Sequence, residues 1–179
     1  MRFTALLTPL LAAFVVVLPA SALGVPPGFV SRPALATRAA YIAGKPVTVY
    51  CPTSQAAWDA FLTAHNDTAM VDVNGLTLTV GSSETYLSPD VCATLLGRIN
   101  GKAVILDALG ASVDVIAHES IHMRGESDEG VTECDAIRSV PDFLVKRWGF
   151  RKGSPAYRQT LYGARSFHAR LPSQYRTTC

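Results

Sequence analysis

The stretch VIAHESIHMRGESDEGVTEC, residues 115–134, combines a helical apolar pattern with an unusual concentration of ionisable side chains. It holds two of the chain's four histidines and four of its five glutamates. Here and just before it, residues suited to a buried helix face recur at i, i+3, i+4, i+7 and i+8: Val113, Ile116, Ala117, Ser120 and Ile121. We therefore predict a helix over 112–124, with Ser112 as its N-cap and Gly125 as its exit.

Within this helix, His118, Glu119 and His122 form the pattern H-E-x-x-H. Residues four apart lie on one face of a helix, so both imidazoles can reach a single ion. Zinc bound by histidine nitrogens and a carboxylate keeps one position open for water and lowers the pKa of that water to about 7. Glu119 could then accept the water's proton and pass it to the leaving amine of a peptide bond. The alternative is two histidines on an ordinary helix face.

A zinc site also needs a third protein ligand, and the segment DEGVTE (128–133) offers three candidates. A tight turn after Gly125 would bring Glu129 across from His122, and Glu133 across from His118, so either carboxylate could reach the ion. The other could then orient a histidine. Asp128 is the third candidate, and it has an alternative role as the N-cap of a second helix.

The same segment resembles two groups of zinc peptidases. DEGVTE is similar to the N-E-x-x-x-D arrangement of thermolysin-like enzymes (gluzincins), which implies that Glu129 binds the metal and Glu133 supports a histidine. Asp128 instead completes H-E-x-x-H-x-x-G-x-x-D, which resembles the snapalysin-like metzincins, although the methionine turn of metzincins is missing. We rank Glu129 first, Glu133 second and Asp128 third.

A wider pattern, H-E-S-x-H-x-R-G-x-x-D-E-x-x-T-E-C-x-A, resembles secreted proteins of actinobacteria that are commonly labelled metallopeptidases. The apolar N-terminus and the segment LSPDVCATL belong to the same resemblance, which is tight only over 117–136. It implies a zincin-like fold with zinc as cofactor and a peptide or protein as substrate. It does not indicate which peptide or protein is cleaved.

The first 22 residues have the three parts of a secretory signal peptide. Arg2 gives a positive start, ALLTPLLAAFVVVL is an apolar stretch, and Ala20-Ser21-Ala22 matches an A-x-A cleavage site. An uncleaved membrane anchor is the alternative, but the apolar stretch is shorter than a bilayer needs and contains prolines. We therefore expect a secreted, extracellular protein without a membrane span after cleavage.

Four cysteines lie beyond the expected cleavage site: Cys51, Cys92, Cys134 and Cys179. In an oxidising compartment an even number predicts two disulfides, and three pairings are possible. We favour Cys51–Cys92 with Cys134–Cys179, because each bridge then closes one half of the chain. For Cys134 we prefer a disulfide to zinc ligation.

The charge of the chain is nearly balanced overall but unevenly distributed. Eight basic and no acidic residues follow Phe143: Lys146, Arg147, Arg151, Lys152, Arg158, Arg165, Arg170 and Arg176. This region could bind an anionic cell-surface polymer, or it could be an ordinary solvated helix surface. No nucleic-acid-binding motif accompanies the charge, so we expect no such partner, and we expect a monomer.

The remaining patterns predict an α+β domain over 46–179, preceded by a flexible N-terminal segment over 23–45. The expected elements are a strand at 46–51, a helix at 53–65, a hairpin at 75–88 that turns on 81–83, and helices at 88–99, 128–146 and 154–171. We expect the second helix of the site to end or be interrupted near Pro141. Together they suggest a minimal zincin-like fold, in which a small antiparallel sheet packs on the active-site helix and on a following antiparallel helix.

Two functions remain open at this point. The first is a secreted zinc endopeptidase, whose edge strand (LTLTV or ETYLS) pairs with an extended peptide. The second is a non-catalytic exported protein with a structural zinc or a helix pair and a basic C-terminal region that binds the cell surface. Residues that could stabilise a transition-state oxyanion are Tyr157, Tyr162, His168 and Arg138, and none stands out. His168 is interpreted as a surface helix residue rather than a catalytic one, and His65 as structural.

Overall fold

The computed structural model describes residues 24–65, 74–176 and 179; the predicted signal peptide (1–22) lies outside them. The chain is α+β, as predicted. In chain order its elements are β1 (Phe29–Ser31), α1 (Pro33–Ala43), β2 (Thr48–Pro52), α2 (Gln55–Ala64), β3 (Gly75–Leu76), β4 (Glu84–Leu87), α3 (Pro89–Ile99), α4 (Leu106–Arg124), α5 (Glu129–Trp148), α6 (Pro155–His168) and a C-terminal 3₁₀ helix (Ser173–Tyr175). Within the described ranges, no helix is both long and apolar enough to cross a bilayer.

Helix α4 is the centre of the core, and 13 of its 19 residues are buried. It packs against α1, α3, α5, α6 and one edge of the sheet. All five residues of the predicted stripe are buried, and the helix ends at Gly125 with a φ of 121°. Its start is earlier than predicted, because Leu106 already lies in the helix. Ser112 is therefore not an N-cap, and its hydroxyl donates to the Ala108 carbonyl oxygen at 2.9 Å.

Helices α4 and α6 are in backbone contact through two glycines. A Cβ atom on Gly110 would lie 2.0 Å from the Thr160 carbonyl oxygen, and one on Gly163 would lie 2.3 Å from the Asp107 carbonyl oxygen. No side chain fits at such distances. This contact fixes α6 closely against the helix that carries H-E-x-x-H.

Helix α5 follows α4 after a short turn and runs back along it. Asp128 is its N-cap, with a side-chain oxygen that accepts from the Val131 amide at 2.8 Å. The expected end or interruption near Pro141 is wrong, because α5 is one helix that continues through Pro141 to Trp148. Proline removes one helical hydrogen bond, while burial of Val140, Phe143 and Leu144 around it stabilises the continuous helix.

The four-stranded sheet has the order β1-β2-β4-β3. The outer pairs β1–β2 and β3–β4 are antiparallel, but the central pair β2–β4 is parallel. The prediction of an antiparallel sheet is therefore wrong at its centre. The connection from β2 to β4 contains β3, which runs opposite to β2 and brings the chain back to the end of the sheet where β2 begins. The predicted hairpin exists as β3 and β4, but β3 has only two residues, and the connecting loop spans 77–83.

The prediction of a flexible segment over 23–45 is wrong for most of its length. Strand β1 pairs with β2, and α1 packs against α4. Leu35, Ala39 and Ala43 are buried at i, i+4 and i+8 on α1. This stripe is mostly alanine, and the surrounding Pro, Gly and Ala residues obscured it in the sequence.

Both preferred disulfides are confirmed. Cys51–Cys92 joins β2 to α3, and Cys134–Cys179 joins α5 to the C-terminal residue. The second bridge starts directly beside Glu133 and holds the C-terminal segment against α5.

Candidate metal centre

Three side chains converge where α4 meets the start of α5. The Nε2 atoms of His118 and His122 are 2.9 Å apart, and Oε2 of Glu129 lies 3.1 Å from the first and 3.3 Å from the second. A tetrahedral zinc ion with ligand distances near 2 Å places its donor atoms about 3.3 Å apart. These three residues could therefore hold a metal ion.

The other nitrogen of each imidazole is already engaged. Nδ1 of His122 lies 2.8 Å from the carbonyl oxygen of Glu126, and Nδ1 of His118 lies 3.0 Å from Oε2 of Glu133. A carbonyl or carboxylate oxygen only accepts, so Nδ1 carries the proton in both neutral rings. Each Nε2 is then left with a lone pair that points at the other donors, as metal-ligating histidines require.

In the metal-free protein, hydrogen bonds between the imidazoles and the carboxylates hold the cluster together. Burial opposes a charged imidazole at His118, but the hydrogen bonds to Glu129 and Glu133 outweigh it and raise the pKa of His118 to about 10. Burial likewise opposes a charged Glu129, while its hydrogen bonds to His118 and His122 lower the pKa of Glu129 to about 2. A divalent cation bound at the same three atoms would displace protons from the ring nitrogens, while the carboxylate of Glu129 is already ionised.

The three predicted carboxylate candidates have different positions. The side chain of Glu129 is 45% exposed and meets the Nε2 atoms, so the group is accessible to water from that side. Glu133 is buried behind His118, and Asp128 caps α5. The side chain of Glu126 accepts from the amides of Ser127 and Asp128. The structure thus brings Glu129 to the histidine pair, and it places Glu133 and Asp128 in the alternative roles considered for them.

Glu119 lies on the side of α4 that faces the sheet edge. Its Oε2 accepts a hydrogen bond from Thr77 Oγ1 at 2.7 Å. A Cβ atom on Gly75 would lie 2.7 Å from Oε1 of Glu119, so β3 passes directly over this carboxylate. Burial raises the pKa of Glu119, although the neighbouring histidines act in the opposite direction. The role of Thr77 was not visible in the sequence, because only the fold brings it to α4.

Behind the histidines, Glu133 is surrounded by further ionisable groups. Its Oε1 lies 2.7 Å from Nδ1 of His168 on α6. The sequence indicates a surface position for His168, but its side chain is largely buried in this contact. Asp114, one helical turn before His118, is also buried here, and burial and the charge of Glu133 raise its pKa well above the usual value.

Tyr175, in the C-terminal 3₁₀ helix, has its ring close to His118 of the candidate centre. Its ring centroid is 6.1 Å from that of His118. Burial and the negative charges of Glu129, Glu119 and Glu133 raise the pKa of its hydroxyl, so the phenol keeps its proton. No sequence pattern pointed to Tyr175, which the C-terminal segment and its disulfide bring to the site.

The other aromatic and basic candidates for oxyanion stabilisation lie elsewhere. Tyr157 is buried in the core, and Tyr162 is exposed on α6. Arg138 donates to the carbonyl oxygen of Cys179 and so helps to hold the C-terminus.

No protein-family model, no curated protein and no solved structure matches this chain. The resemblances to zinc peptidases and to actinobacterial proteins therefore stay predictions, and the function must be argued from the geometry of the site.

Proposed function

We propose that the chain is a secreted zinc-dependent metallopeptidase. The observation that supports this most strongly is the pair of imidazoles, each with Nδ1 held by the protein and Nε2 directed at the other and at Glu129. Two nitrogens and one carboxylate oxygen, with an exposed side, are a donor set typical of catalytic rather than structural zinc. Export is supported by the two disulfides, which persist in oxidising compartments.

Zinc held in this way supplies a water of lowered pKa and polarises a carbonyl group. In our proposal, His118, His122 and Glu129 hold the ion, and Glu119 accepts the proton of the attacking water and delivers it to the leaving amine. Tyr175 keeps its phenolic proton and could donate a hydrogen bond to the carbonyl oxygen as negative charge develops.

The substrate of such an enzyme would be a peptide in extended conformation. Strand β3 is at the edge of the sheet, beside Glu119, and an edge strand can pair with an extended chain through backbone hydrogen bonds. The basic region after Phe143 remains a separate prediction of an anionic cell-surface partner.

A structural role for the metal is the second candidate function. It is favoured by the burial of Glu119 and by its hydrogen bond to Thr77, which together could hold β3 on α4 without any catalysis. In this case the protein would be exported and non-catalytic.

Substitution of Glu119 separates the two functions. We expect the zinc-loaded wild type to cleave a mixed peptide library. Cleavage should stop when a chelator is added and resume when zinc is restored. Glu119→Gln should keep zinc but lose on the order of 1,000-fold in cleavage rate, because the general base is removed. Glu84→Gln is the matched control, since Glu84 lies on β4 beside Tyr50 and Tyr86 and should leave cleavage unchanged. A wild type that holds zinc and cleaves no peptide would support the structural role instead.

A further inference from the structure

The carboxylate of Glu133 is contacted by one histidine on each of its oxygens. Oε2 lies 3.0 Å from Nδ1 of His118 on α4, and Oε1 lies 2.7 Å from Nδ1 of His168 on α6. The side chain of Glu133 is only 2% exposed. A buried carboxylate is costly unless donors satisfy both of its oxygens. Two N–H groups from two different helices meet this requirement.

Of the two histidines that contact Glu133, only His118 belongs to the candidate metal centre. His118 carries a donor atom for the metal, whereas the hydrogen bond of His168 goes to the far oxygen of Glu133. His168 is held in place independently, because α6 is fixed on α4 by the contacts of Gly110 and Gly163. Its ring is therefore a fixed support against which Glu133 can be oriented.

We propose that His168 is a positioning residue for the metal centre. Its Nδ1–H fixes the orientation of Glu133, and Glu133 in turn fixes the ring of His118 with Nε2 directed at the ion. This inference rests on the proposed metal centre, but it assigns to α6 a role in metal binding that the H-E-x-x-H helix and α5 do not supply. Groups that hydrogen-bond a metal-ligating histidine, as Glu133 would, typically alter metal affinity by 10- to 100-fold, and His168 acts through such a group.

A purely structural role for His168 makes a different prediction. If His168 only stabilises the packing of α6 on α5, its loss lowers the stability of the metal-free protein and leaves the metal affinity of the folded protein unchanged. The test must therefore measure the metal itself, on protein that is shown to be folded by circular dichroism.

The pair His168→Leu and His168→Asn isolates the hydrogen bond. Asparagine can place an N–H close to the position of Nδ1, and leucine has a similar size without any donor. We expect zinc affinity, measured by competition with a chromophoric chelator, to fall about 10- to 100-fold in His168→Leu and to stay within about threefold of wild type in His168→Asn. The visible spectrum of the cobalt-substituted protein should shift only in the leucine variant.

His65→Leu is the matched control. Nδ1 of His65 contacts the Phe61 carbonyl oxygen at the end of α2, and His65 makes no contact with the candidate ligands. Its substitution should leave the zinc affinity and the cobalt spectrum unchanged. Equal losses in the His65 and His168 variants would contradict a specific role for His168.

The wild type gives an independent test that needs no variant to fold. In the zinc-loaded protein, long-range ¹H–¹⁵N correlation should show the proton of His168 on Nδ1, as it should for His118. A proton on Nε2 alone would overturn the proposal. Wild-type affinity in His168→Leu, or equal weakening in the leucine and asparagine variants, would also overturn it while the metal centre stands. A wild type that binds no zinc would reject the centre and this role together.

Discussion

Each histidine of the candidate centre has one ring nitrogen held by the protein, and its other ring nitrogen faces the remaining donor atoms of the centre. Glu133 and the Glu126 carbonyl oxygen hold the Nδ1 atoms of His118 and His122, so the Nε2 atoms need no rearrangement to bind an ion. Such orientation lowers the entropic cost of binding, because the rings are already fixed in the metal-free state. The hydrogen bonds of both rings to Glu129, and then these contacts, raise the pKa values of the two histidines.

Metal binding should therefore release protons. The pKa of His118 is raised to about 10 and that of His122 is also raised, so the metal-free cluster is protonated at neutral pH. We expect zinc binding at pH 7 to release at least about one proton per ion. Zinc affinity should therefore rise with pH up to the pKa of His118. Calorimetry in two buffers of different ionisation enthalpy measures this number. A binding enthalpy that is the same in both buffers would contradict the prediction.

The site residues that could be predicted from the sequence are those connected by local geometry. Helical spacing places His118 and His122 together, and a tight turn returns Glu129 to them. Thr77 and Tyr175 could not be predicted, because they reach the site through the sheet edge and through a disulfide-bound segment that are distant in sequence.

Among the secondary-structure elements, helices that begin at a capping side chain were the easiest to predict from the sequence. Ser54, Ser88 and Ser154 each accept a hydrogen bond from the amide three residues later, and the helices they begin were all predicted. Helix α1 has no such cap and a stripe of small residues, so its burial depends on α4 and was missed. The parallel pairing of β2 and β4 depends on the path of the chain through α2 and β3, which local patterns do not encode.

The contact between α4 and α6 should be sensitive to a single methyl group. Gly163→Ala would place a Cβ atom against the backbone of Asp107, which cannot move without shifting α4. We expect a loss of about 1–3 kcal/mol in the free energy of unfolding, measured by urea titration with circular dichroism.

Gly97→Ala on α3 is the control for the intrinsic preference of alanine in helices. Its Cβ atom would meet only a methyl group of Val104 at 3.1 Å, so the variant should be within about 1 kcal/mol of wild type. Equal stabilities of the Gly163 and Gly97 variants would show that the close contact of α4 and α6 is not required.

At the scale of the whole molecule, the two disulfides close loops of similar length but have different neighbours. Cys51–Cys92 spans 41 residues and joins β2 to α3, while Cys134–Cys179 spans 45 residues and holds the segment that carries Tyr175. Replacing either pair with alanines should cost up to about 4 kcal/mol in stability, because each bridge restricts the unfolded chain to the same degree.

Only the second replacement should affect catalysis. Without Cys134–Cys179, the C-terminal segment is less restrained and Tyr175 is no longer fixed beside His118. We expect peptide cleavage by the folded, zinc-loaded protein to fall in this variant and to persist in the Cys51–Cys92 variant. Equal activity in both variants would contradict a role for the C-terminal segment at the site.

The most direct test of the metal centre is the zinc content of the purified protein after dialysis against zinc and removal of excess ion. We predict one zinc per chain in the wild type, loss of zinc in Glu129→Ala, and one zinc in Asp128→Ala, because Asp128 only caps α5. Glu133→Ala should bind zinc more weakly, since it removes the support of His118 rather than a ligand. A wild type without zinc, or a Glu129→Ala variant that retains it in full, would contradict a centre formed by His118, His122 and Glu129.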